Sequence, residues 1–145
     1  MIDFKKIIVK NLEFAQEQIT ENLKKAGTYT SGATSAMFEI RNVTETSGQL
    51  WGWKYYEMWE RGRKPNKNQS SVIGFALWIA PKLQAWAEAK GIKINPVGAG
   101  VNIARNGSKL HRQGGRNDIY TPVFAKLKDN LAKEIGNELI KIIIK

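Results

Sequence analysis

His111 is the only histidine in the chain, and there is no cysteine. Asp118 is the nearest carboxylate to it in sequence. That set supports neither a zinc site nor a Ser-His-Asp arrangement, and His111 reads as an exposed loop residue. Glu57 and Glu60 stand three apart and share a face if the segment is helical. An acid-base pair would need unequal environments for the two carboxyls. Arg61 and Arg63 beside them make salt bridging the simpler reading. Gly98-Ala99-Gly100 has two glycines of a dinucleotide fingerprint but not the third, and no preceding βαβ pattern. Gly107-Ser108-Lys109 lacks the first glycine of a phosphate loop and reverses its ending. The sequence therefore implies no catalytic residues, no cofactor and no metal, and the chain is read as a non-enzyme.

What stands out instead is Trp51 to Lys67, WGWKYYEMWERGRKPNK. Its first half is aromatic and needs cover; its second half is basic and needs water or an anionic partner. The charge is uneven along the chain. Residues 1–58 carry seven basic and seven acidic side chains, whereas residues 59–118 carry eleven and three. Net charge is +10. Two loops hold much of the excess: Arg61–Ser71 and Asn106–Asp118. The candidate interface residues are Trp59, Arg61, Arg63, Lys64 and Lys67 in the first region and Lys109, Arg112 and Arg116 in the second. Such an excess favours nucleic acid, through contacts to phosphate, an acidic protein surface or anionic lipid, and does not choose among them. The aromatics suit a core strand, a subunit interface or, as the best nucleic-acid reading, stacking on bases. Alternation places Trp51, Trp53 and Tyr55 on one strand face, which favours core. Protein contact is the reading favoured for the loops, and a small basic nucleic-acid-binding module using residues 61–71 and 106–118 is the alternative.

The elements that position these loops follow from periodicity. Phe4, Ile7, Ile8, Leu12, Ala15, Ile19, Leu23 and Ala26 give one apolar stripe on a helix from Asp3 to Ala26. Thr28–Ser35 is a polar connection. Ala36–Thr44 and Leu50 to about Tyr56 form an antiparallel hairpin around Thr46-Ser47-Gly48, although Tyr55–Glu60 fits a helical turn equally well. Val72, Phe75, Ile79, Leu83, Trp86 and Ala87 line a helix over Val72–Lys90, with a kink expected at Pro81. Ile92-Lys93-Ile94 reads as a short strand, and Val97–Arg105 as a short helix. Thr121 and Pro122 start a last helix whose stripe runs Val123, Phe124, Leu127, Leu131, Ile135, Leu139 and Ile142. The closing KIIIK is too apolar for a free end and suggests docking. The expected fold is α+β: one domain over 1–145, with a small antiparallel sheet (a hairpin at about 36–56 plus short strands) packed by long N-terminal, middle and C-terminal helices. No stretch is apolar enough for a membrane span, and the N-terminus does not read as a signal peptide, so synthesis in the cytoplasm is expected.

The order of elements resembles the small tail-completion or neck proteins of tailed bacteriophages. Three stretches carry the resemblance. A long first helix runs into Thr30-Ser31-Gly32-Ala33-Thr34-Ser35. An aromatic strand runs into Glu60-Arg61-Gly62 and a basic loop containing Pro65. A short helix with Ile103-Ala104-Arg105 runs into Asn106-Gly107-Ser108. The resemblance implies a virion structural protein of the head-to-tail connector, with no enzymatic activity. It implies a homo-oligomeric ring, sixfold or twelvefold, that meets portal or adaptor proteins on one side and tail proteins on the other. Genomic DNA would pass through its channel, and no membrane is involved.

Overall fold

The computed structural model describes residues 2–27, 38–52 and 56–143, with the backbone alone at Ile143. The fold is α+β, mostly helical with a two-stranded antiparallel sheet. Contacts divide the chain into two compact units: residues 1–56 with 117–145, and residues 57–116.

The first unit is built on helix α1 (Phe4–Lys25) and helix α6 (Thr121–Ile143). Asp3 starts α1 by accepting the Lys6 N–H on its carboxylate at 2.9 Å, as expected of a capping residue. Ile8, Leu12, Ala15, Ile19 and Leu23 of the expected stripe are buried. Asn11 is buried among them and donates its amide to the Ile7 carbonyl at 3.0 Å, so its polarity is met within the helix. From α6, Val123 is buried, while Leu127, Leu131 and Ile135 are half-buried. Asn22 anchors the chain ahead of α6 by donating to the Ile119 carbonyl at 2.9 Å. Tyr120 joins Tyr56 and Phe124 in a short aromatic row, with ring centroids 5.3 and 5.6 Å apart.

The hairpin differs from expectation. Strand β1 (Glu39–Arg41) pairs with β2 (Gln49–Trp51), and Ile40 lies opposite Leu50. Those two are half-buried while their neighbours on both strands are exposed. Gly48 comes close to Ile8 and Leu12 of α1, and Phe38 covers Gly52. The Leu50 side thus packs inward and Trp51 faces out, half exposed, stacked under Arg41 at 5.0 Å. Sequence alternation had the faces reversed at Trp51. Two aliphatic residues paired across the strands decided the matter, because opposite residues share a face. An ion pair joins Glu39 to Arg41 and holds the Glu39 carboxyl below its usual pKa, the hydrogen bond from Arg41 being the main cause. Thr28–Met37, Trp53, Lys54 and Tyr55 lie outside the described residues.

The second unit holds α2 (Met58–Arg61), α3 (Ser71–Lys90), α4 (Pro96–Asn106) and α5 (Lys109–Arg112). Tyr55–Glu60 had two readings, and Met58–Arg61 is helical. Helix α3 continues through Pro81 and ends at Gly91, beyond which the Ile92 N–H bonds back to Ala87. Ile92-Lys93-Ile94 is therefore not a strand. It is taken up between that cap and the next one, where Asn95 accepts the Gly98 N–H and Pro96 opens α4. No strand among the described residues of this unit offers it an edge.

Helices α3 and α4 pack through small residues. Val72, Ala76, Ala80 and Ala87 are buried on α3, and Gly100 and Ala104 on α4. A Cβ on Gly100 would stand 2.9 Å from the Ala76 Cα, so the two backbones nearly touch. The Gly-Ala-Gly run has its role here, in close helix packing. Gly100→Ala should lower the unfolding free energy by about 1–3 kcal/mol despite its better helix propensity. Gly74→Ala, in the open face of α3 with nothing near its Cβ, should raise stability by roughly 0.5–1 kcal/mol. Urea denaturation of the two variants separates crowding from propensity.

Candidate functional site

Glycine at position 62 lets the chain turn sharply after α2. Its φ is +68°, and a Cβ there would lie 2.4 Å from the His111 backbone nitrogen. Only glycine meets both demands. Beyond it, Arg63 and Ser108 bind reciprocally. The Arg63 N–H donates to Ser108 Oγ at 2.9 Å, and the Ser108 N–H donates to the Arg63 carbonyl at 2.8 Å. The same hydroxyl accepts the His111 N–H at 3.3 Å, capping α5. Two more backbone bonds flank this pair: Asn66 N–H to the Ala104 carbonyl at 2.7 Å, and Arg116 N–H to the Glu60 carbonyl at 2.7 Å. The two basic loops, far apart in sequence, are thereby clasped into one surface.

Arg63 is a structural member of that clasp. Its guanidinium lies 3.7 Å from the centre of the Phe75 ring. It donates to Asn66 Oδ1 and to the Lys64 carbonyl. Burial against the ring and the loop pulls its pKa below the usual guanidinium value. Asn66 in turn donates to Ser71 Oγ at 2.8 Å, tying the loop to the start of α3. Of the other predicted residues, Lys64, Lys67, Lys109 and Arg112 are exposed. Arg61 is exposed and paired with Glu57 at 3.7 Å, a contact of little energy at that exposure. Trp59 and Arg116 are half-buried. The clasp thus brings together the backbones that carry all eight candidate residues, but Arg63 is spent internally. The expected second loop is also partly helical, because Ser108 caps Lys109–Arg112.

The unit of residues 57–116 carries eleven basic and three acidic side chains. Glu57 is engaged with Arg61, and Glu88 accepts from Gln84. A net charge of +8 on one compact unit makes its surface attractive to any polyanion or acidic protein. Among the described residues no three His, Asp or Glu side chains gather as a metal would need, and no helix is long and apolar enough to cross a membrane.

One feature of the same unit escaped the sequence reading. Ile73, Leu77 and Trp78 stand 57–59% exposed on the outer side of α3. Beyond its inward stripe α3 is apolar nearly all the way round, which is the signature of a helix with cover on more than one side. Trp86 of the expected stripe is also exposed, at 41%.

Comparison with protein-family models, with characterised proteins and with solved structures finds no match to this chain.

Ser108→Ala removes the hydroxyl that accepts from both Arg63 and His111. It should cost about 1–2 kcal/mol of stability. Lys109→Ala next to it should change stability by less than about 0.5 kcal/mol. Chemical denaturation of the pair tests whether the loops are clasped or merely neighbours.

Proposed function

We propose that this chain is a non-enzymatic structural subunit of a ring in the head-to-tail connector, neck or tail-completion region of a tailed bacteriophage. The observation that carries the reading is the clasp. Two of the three stretches on which the family resemblance rests, Glu60-Arg61-Gly62 with Pro65 and Ile103–Ser108, are those that interlock through Arg63 and Ser108. A surface held by backbone bonds, strongly basic and adjoining an exposed apolar helix face, suits repeated contact with protein neighbours. Preformed geometry lowers the ordering cost of such contacts. On this reading the partners are further copies of the chain, the portal or adaptor ring and tail proteins, with genomic DNA passing through the ring.

The second reading, a nucleic-acid-binding module, is favoured by the +8 charge of residues 57–116. Salt dependence separates the two. A module that neutralises several phosphates should bind duplex DNA with an affinity falling by about 10³–10⁵ between 50 and 200 mM salt.

Reversing the charge at Arg61, Lys64 and Lys67 together probes the loop without touching the packed Arg63. Heads and tails made with this variant should remain unjoined in electron micrographs, while the purified chain keeps its thermal midpoint. Normal joined particles, or a chain that unfolds, would count against the loop as a contact surface. A monomer binding DNA with that steep salt dependence would sink the connector reading.

A further inference from the structure

Two exposed apolar patches of different character stand on the two compact units. On the second unit, Ile73, Leu77 and Trp78 project from α3, and the Lys82 ammonium lies 3.7 Å from the centre of the Trp78 ring. This is an aromatic anchor carrying a positive charge. On the first unit, α1 and α6 border a groove of about 400 Å³ lined by Ile7, Glu134, Asn137, Glu138, Ile140 and Lys141. Its apolar members are Ile7 and Ile140, and Ile140 is 52% exposed. Its carboxylates are more sheltered than the lysines that meet them. Glu134 is 33% exposed against 72% for Lys10, and Glu138 is 30% against 66% for Lys141.

We infer that the Trp78–Lys82 face of α3 docks into the α1/α6 groove of a second copy of this chain. The groove sets two isoleucines beside two carboxylates and Lys141, so an indole topped by an ammonium can lay its ring on the first and bring its charge to the second. Glu134 and Glu138 keep their present partners through exposed, weak ion pairs, which exchange readily for a better-placed cation. The same α3 face cannot easily pair with itself. Self-pairing would bring two units of +8 charge together, whereas the groove belongs to a unit whose net charge is +2. Because the two surfaces differ, the contact is head-to-tail and repeats from copy to copy, closing into a ring when the rotation closes. This deepens the ring reading and rests on it.

The test is sedimentation of the full chain and two variants, alone and mixed. Trp78→Glu spoils the anchor, and Ile140→Lys spoils the groove. Wild type should associate with rising concentration, and each variant should associate at least roughly tenfold more weakly. A mixture of the two should form a one-to-one complex and nothing larger, because only one good surface of each remains. Both positions are exposed, so circular dichroism and thermal midpoints should be unchanged. If either charged variant unfolds, Trp78→Ala and Ile140→Ala replace the pair. A wild type that stays monomeric to about 1 mM overturns the contact. So does association untouched by the variants, or an Ile140→Lys chain that pairs with itself as well as with the mixture partner. Association that survives both variants removes this contact but leaves a ring built another way. Monomers that bind DNA with steep salt dependence remove the ring reading too.

Discussion

The reciprocal hydrogen bonds between Arg63 and Ser108 are the constraint on which the second unit depends. Each bond alone is worth about 1 kcal/mol net, but leaving a sheltered donor or acceptor unmet costs more. Together with the bonds at Asn66 and Arg116 they hold two loops that like charge would drive apart. Repulsion between exposed lysines and arginines is weak in water but cumulative over a unit with eight net positive charges. The chain counters it with contacts that salt does not screen: backbone bonds, a glycine that permits close approach, and a guanidinium laid on the Phe75 ring. Charge on the outside is tolerated because the backbone underneath is fixed.

Helix content and the α+β class were legible because long amphipathic stripes are local information. The α1 stripe and the Asn95-Pro96 start of α4 follow directly from spacing and capping chemistry. The hairpin was legible as a pair but not in its facing. Trp51 looked like core because tryptophan is large and apolar, yet the Ile40–Leu50 pair decides which side packs. Ile92–Ile94 looked like a strand from residue type alone, and only its position between two helix caps shows otherwise.

Both basic loops were legible as candidate surfaces from charge and composition. That they form one surface was not, since nothing in local sequence says that Ser108 bonds to Arg63. Nor did sequence separate Arg63 from Lys64; neighbouring cations of equal charge differ in role because only one reaches Phe75 and Asn66. Planar guanidinium chemistry suits that half-buried stack in a way an ammonium does not. The outward face of α3 shows in the sequence only as an apolar excess beyond one stripe, and one stripe already accounts for an amphipathic helix.

The clasp should form in the isolated chain, with no other component present. Amide hydrogen exchange on the isolated chain tests it most directly. The amides of Arg63, Asn66, Ser108 and Arg116 should exchange slowly and with similar protection, and Gly62→Ala should release all four together. Exchange at the rate of an open loop, or loss of protection at one amide without the others, would contradict the account.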